Sequence, residues 1–322
     1  MSQNKQGGQS LDARKLDAAY TGFHAAFFKS LANAPSFFNT ISAVVTDDRP
    51  FNVWNWISQV PKMRKWVGQK RLHKLRAEKH QMECEPYESS IQVPKEDIIN
   101  DRLGLWSRQI NDMGSAHPRH LDDLVITALI AGFAATVGRT YDGQFLLDTD
   151  HTADGNGQGV SQSNLLTGAL SFAKYREAYK RMAYEFVDDQ GEPVVNVPGY
   201  LVVGVQNADI GRDILQRQWI AGVNGAGSGA NVQLENLERG TVELIVTPRI
   251  TDTKWFLLAR NPTAVVMQRK RGPDFYSVGE DGLRGGPTNP HTFMTGNVLY
   301  GIESEEGVAY GAWQDVVGGL GT

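Results

Sequence analysis

A chain of 322 residues has room for one large or two modest domains, and 41% hydrophobic with 21% charged residues is the composition of a globular protein. A formal net charge of −4 excludes a protein whose main surface is a strongly basic nucleic-acid face. Cys84 is the only cysteine, which rules out an intrachain disulfide and suits a reducing compartment.

The start, MSQNKQGGQSLDARK, has neither the apolar core nor the cleavage pattern of a secretory signal, and residues 1–10 read as a polar, mobile end. Residues 11–34 place Phe23, Phe27 and Phe28 at helical spacing, which predicts a short amphipathic arm. Its aromatic face can pack on the parent domain or on a neighbouring copy, and the spacing favours neither. Trp54, Trp56 and Trp66 then fall close together, and such clusters are usually core or interface anchors.

Residues 61–101 form a charged unit with two halves of opposite sign. Between Lys62 and Lys79 eight Lys or Arg stand against Glu78 alone; between Glu83 and Asp101 six acids stand against Lys95 alone. Ile91 and Val93 alternate with polar neighbours as a half-exposed strand requires, and Glu85-Pro86 suits an edge or turn. The stretch from Arg71 to Ser90 has so few apolar residues that it cannot bury itself in its own domain. Paired with each other in solvent, the two halves would contribute only about 0–1 kcal/mol per pair. The arm therefore needs a partner outside its own domain.

The next element is predicted as a helix opening at Pro118, with Asp122 and Asp123 in its first turn. Leu121, Leu124, Val125, Ala128, Leu129 and Phe133 recur at three- and four-residue spacing as a buried stripe, widened by Ile126 and Ile130. The apolar run from Leu124 to Val137 is 14 residues, short of the ~20 a membrane span needs, so a packed spine is expected. The polar loop that follows offers Asp148, Asp150, His151 and Asp154 as metal donors, but Thr152 and Ser161 occupy positions where a calcium loop needs carboxylates. No metal site and no cofactor is expected.

Residues 163–184 read as a second helix with a Ser-Asn cap and a basic end, and residues 194–206 as paired strands around Pro198 and Gly199. A helix over 209–218 precedes a glycine-rich run that lacks the lysine of a phosphate loop. Strands are expected at 242–250, 254–260 and 263–270, and two more around an acidic turn at 303–307. No HExxH, CxxC, GxSxG or Walker lysine occurs, so no catalytic residues are assigned.

The segments WVGQKRLHKL, PYESSIQVPKEDIINDRLGLW, TYDGQFLLDTDH, and LVVGVQ followed later by VELIVTPRITDTKWFLLA occur in an order that resembles the major head (capsid) proteins of Mu-like bacteriophages and prophages. The resemblance implies an α+β, Hong Kong 97-type capsid fold: an N-terminal arm (1–60), an extended loop (61–101), a peripheral domain with a long spine helix (102–160), an axial domain (161–290) and return strands (291–322). It also implies self-association into the hexamers and pentamers of an icosahedral shell around double-stranded DNA, with the charged unit buried by the next copy: Arg71, Lys74, Arg76 and Lys79 should face carboxylates of an adjacent subunit, Glu83, Glu85 or Glu88 of its arm among them, with Trp66 in the same interface. Implied partners are further copies, a scaffold, a portal and decoration proteins, in a virion assembled in the bacterial cytoplasm without a membrane. Two other classes stay open: another virion component such as a head–tail adaptor or tail protein, and a metal-dependent hydrolase using Asp148, Asp150 and His151.

Overall fold

The computed structural model describes residues 13–48, 51–57, 77–134, 137–153, 159–188, 191–222, 232–277 and 290–321. The first helix, α1 (Ala13–Asn33), buries Leu16, Ala19, Phe23 and Phe27, a stripe at three- and four-residue spacing. After it come α2 (Phe38–Ile41), β1 (Ala43–Thr46), β2 (Phe51–Ile57), β3 (Ala77–Glu83), β4 (Glu85–Pro94), α3 (Lys95–Ile99) and α4 (Gly104–Ala131). At 28 residues α4 is about 42 Å long and is the longest helix described.

The spine differs from its sequence prediction at both ends. Pro118 lies inside α4, buried, where a proline costs about 3 kcal/mol through its missing hydrogen bond and ring clash. Burial of the preceding turns offsets that cost: Ile110 and Met113 pack with Phe23 and Phe27 of α1, and each fully buried aromatic contributes about 1.5–3 kcal/mol. Gly114 permits this crossing, because a Cβ there would lie 2.6 Å from the Phe27 carbonyl oxygen. The arm helix is therefore docked on its own chain. Asp122 and Asp123 sit deep in the helix rather than in its first turn; Asp122 accepts the Phe37 and Phe38 amides at 2.9 and 2.8 Å, capping α2 from outside. Leu121, Val125, Ala128 and Leu129 are fully buried as the stripe requires, whereas Leu124 and Phe133 are half-buried at its border, Phe133 beyond the helix end.

The remaining elements are β5 (His151–Thr152), β6 (Ser161–Gln162), β7 (Leu165–Leu166), α5 (Phe172–Lys180), β8 (Pro198–Val203), α6 (Ala208–Leu215), β9 (Trp219–Gly222), β10 (Val232–Glu235), β11 (Glu243–Val246), β12 (Trp255–Ala259), β13 (Val265–Ser277), α7 (Pro290–Thr295), β14 (Asn297–Tyr310) and β15 (Val316–Gly319). Several depart from expectation. The second helix starts at Phe172, because Ser171 is its N-cap, its side chain accepting the Lys174 amide, and residues 165–166 belong to a sheet. Only one strand, β8, forms around Pro198 and Gly199. β13 continues past Lys270 through register shifts between Arg269 and Asp274, a bulge that absorbs Gly272 and Pro273.

The five-stranded sheet runs β11-β8-β12-β15-β7 and is buried on both faces, which is why its strands read as apolar runs. Phe256 and Leu258 of β12, with Val202 and Val316, face the core built on α4; Trp255, Leu257 and Ala259, with Leu201 and Val317, face α5 and α6. The four-stranded sheet runs β1-β13-β14-β4, and a separate two-stranded pair joins β2 to β3. The charged unit is thus divided. Its strand β3 stands outside the main sheets, paired with β2, which precedes the unit, but residues 85–94 form the edge strand β4, where Val93 is buried and Ile91 packs behind it. Among the described residues no helix is long and apolar enough to cross a membrane.

Candidate assembly interface

The chemistry of this chain is concentrated where β4 joins the four-stranded sheet. β14 is one continuous strand of 14 residues, and the expected turn at 303–307 does not form. Alternation explains its tolerance of three glutamates. Val298, Tyr300, Ile302, Ser304 and Glu306 are buried, while Glu303 and Glu305 are partly exposed on the other face. There Arg271 of β13 bonds Glu303 at 3.1 Å and Lys270 bonds Glu305 at 2.6 Å. Cations from a strand that only the fold brings alongside are the signal the sequence reading lacked.

Glu306 has no access to solvent. It pairs with His117 of α4 at 3.0 Å and accepts the Ser304 hydroxyl at 2.9 Å on its second oxygen. On the other side of β14, register sets Glu303 opposite Glu88 and Glu306 opposite Glu85. Like charges facing each other across a ladder are destabilising. Glu83, Glu85 and Glu88 are exposed, and no described Lys or Arg pairs with them. Glu85 accepts only the Tyr87 hydroxyl at 3.3 Å, and Glu88 the Ser90 hydroxyl at 2.8 Å. Burial, then the neighbouring Glu85, raise the Tyr87 pKa. Lys79 stands opposite Asn55 in the β2–β3 pair. Trp66, Arg71, Lys74 and Arg76 lie outside the described residues, as does the glycine-rich run at 223–231.

Cys84 alone separates β3 from β4, and Gly307 of β14 passes so close that a Cβ would lie 2.4 Å from the Glu83 carbonyl oxygen. Burial raises the Cys84 thiol pKa, with Lys270 opposing.

The polar loop after α4 is a structural clasp. His151 is fully buried, its Nδ1 pairs with Asp142 at 2.8 Å, and its ring stacks on Trp313 with centroids 4.5 Å apart at 9°. Asp142 also accepts the Thr140 hydroxyl at 2.5 Å and the Thr152 amide at 3.0 Å. Burial works to raise its pKa, but the bonds from His151, Thr140 and Thr152 prevail and hold it below the ordinary carboxylate value. Asn164 completes the clasp, donating to the Leu146 and Trp313 carbonyls at 2.7 and 3.0 Å. A hydrolase needs an imidazole that substrate can reach, and His151 is sealed beneath Trp313. Among the described residues, which exclude Asp154, no three His, Cys, Asp or Glu side chains converge as a metal site.

Comparison with known proteins places this architecture. The fold is that of phage capsid proteins, α+β and of Hong Kong 97 type: a chain of the procapsid of bacteriophage JBD30 superimposes with a TM-score of 0.55 at 23% identity, over 95% of this chain and 75% of that one. Residues 16–171, just under half of the chain, match the family described as Mu-like prophage major head subunit gpT. The Mu-like prophage FluMu major head subunit of Haemophilus influenzae is 31% identical over 150 residues, 47% of this chain and 48% of that protein. The major capsid protein of Escherichia phage Mu is 27% identical over 155 residues, 47% and 50% of the two chains. This chain's match thus spans about half the length of the curated relatives.

Proposed function

We propose that this protein is a major head protein of a Mu-like phage or prophage, many copies of which associate as hexamers and pentamers into an icosahedral shell around double-stranded DNA. The observation that carries this reading is the match of residues 16–171 to the major head subunit family, extended by a capsid fold over nearly the whole chain. Its surroundings are then the virion, with assembly in the bacterial cytoplasm, and its partners are further copies, a scaffold, a portal and decoration proteins. In this reading residues 1–60 are the N-terminal arm, 61–101 the extended loop, 102–160 the peripheral domain, 161–290 the axial domain and 291–322 the return strands.

The extended loop of one copy lies across the next, where Arg71, Lys74, Arg76 and Lys79, with Trp66 as an apolar anchor, meet Glu83, Glu85 and Glu88. Two facts support this pairing. Glu85 and Glu88 face further glutamates across the ladder, and the nearby β13 cations Lys270 and Arg271 answer Glu305 and Glu303 rather than Glu85 or Glu88. A net charge of −4 suits a wall that encloses DNA without trapping it, so the inner face should be neutral to acidic. Sedimentation and electron microscopy of the purified full chain test the reading. Shells or capsomers of many copies are expected. A single small ring would instead mark a head–tail adaptor, and a stable monomer at high concentration would overturn self-assembly.

A further inference from the structure

Two histidines of α4, about one turn apart, face the sheet, His117 toward β14 and His120 toward the edge strand β4, and only His117 is provided with a hydrogen-bond partner. His117 has Glu306, and both oxygens of Glu306 are engaged, by His117 and Ser304. His120 sets its ring against Tyr87 of β4, with centroids 4.3 Å apart at 60°. Its Nε2 is shut off from solvent and meets no donor or acceptor. Beside the pair, a cavity of about 230 Å³ opens between α4, β14 and β4, lined by Tyr87, Glu88, Met113, His117, His120 and Ile302.

The titratable and charged groups around His120 come from every neighbouring element. His117 and Asp123 share its helix, Glu306 lies on β14 with Arg269 opposite in the register of β13, and β4 supplies Tyr87, Glu85 and Glu88. None of them gives Nε2 an acceptor. A neutral imidazole tolerates such a place, because only one ring nitrogen carries a proton. An imidazolium carries a proton on both, and a charged donor without an acceptor is far harder to keep out of water.

We propose that His120 is an acid-sensitive latch: protonation turns its ring out of the contact with Tyr87 into the cavity and releases β4, and with it the root of the β2–β3 pair, from α4. The cavity gives the charged ring room to turn toward water. Because Cys84 is the only residue between β3 and β4, loosening β4 frees the position of the hairpin that β3 shares with β2. Burial lowers the His120 pKa from its ordinary 6.5, with Glu306 opposing, His117 assisting and Asp123 opposing. The latched form therefore prefers the neutral ring. Its hold is complete above about pH 6.5 and is lost as pH falls from there through the folded-state value. The proposal stands on packing within one chain and holds whether or not shells form.

Amide hydrogen exchange of the full chain, followed by mass spectrometry from about pH 8 to about pH 5 and corrected for intrinsic exchange, reads the latch directly. In the parent, opening of β4 should rise about tenfold per pH unit below about 6.5 and then level off, while β12 in the other sheet stays unchanged. His120→Phe keeps a ring against Tyr87 but cannot charge, and its β4 profile should be flat. His120→Gln serves the same purpose without the ring, so a poorly folding phenylalanine variant does not end the test. A flat β4 profile in the parent, or acid-dependent opening that survives in either folded variant, would overturn the latch.

Discussion

At position 306 a carboxylate lies wholly in the interior, and among the described residues His117 and Ser304 answer it. Removing one member of such a pair strands the other, which typically costs about 3–5 kcal/mol, whereas replacing both by apolar side chains of similar volume is often neutral or stabilising. Glu306→Ala should accordingly lower the urea midpoint by an amount equivalent to about 3–5 kcal/mol. The double variant His117→Leu with Glu306→Leu should recover most of that loss, and equal destabilisation in both would mean that the pair contributes through packing alone. No local pattern shows this pair in the sequence, because its members are 189 residues apart. The same holds for the clasp of Asp142, His151 and Trp313. Spacing presented Asp148, Asp150, His151 and Asp154 as a donor set, but the imidazole is instead turned inward against an indole that the chain supplies much later.

Among the elements, α4 shows which parts of the fold were legible. The stripe of Leu121, Val125, Ala128 and Leu129 is a local, periodic signal and appears as read. The helix start was misread at Pro118, since intrinsic propensity favours a break there and the burial that overrides it comes from α1, far away in sequence. That crossing has a steric requirement at Gly114. Gly114→Ala adds a Cβ that must push the backbone of α1 aside, and overpacking of this kind costs about 1–3 kcal/mol. We expect a lower urea midpoint together with faster proteolytic release of α1, and an unchanged midpoint would show that the two helices slide apart freely. β14 was misread for a related reason. Three glutamates and Gly307 look like a turn until Lys270, Arg271 and His117 stand beside them. The charge asymmetry of residues 61–101 was legible, but its division between an outlying pair and the edge of a sheet was not, because Ile91 and Val93 find their cover only in the folded core.

At the scale of the whole molecule, the proposed assembly would depend on charge, through the exposed glutamates of β3 and β4 and the basic stretch before them. Reversing Arg71, Lys74 and Arg76 to Glu should leave a folded chain that fails to assemble, and raised salt should slow assembly of the parent. Light scattering follows both, and normal shells from the triple variant with unchanged salt dependence would sink the pairing with Glu83, Glu85 and Glu88. The capsid fold itself has a consequence for how the protein is made. β15 lies between β12 and β7, and β14 lies between β13 and β4, so both sheets wait for strands synthesised late. Until residue 319 has left the ribosome, β12 has an unpaired edge and β7 has no neighbour. A chain still in translation cannot therefore present the finished surfaces by which copies would recognise one another. If copies associate as proposed, nascent chains held side by side on one polysome lack the strands they would need to enter a growing lattice, and so does an abortive fragment.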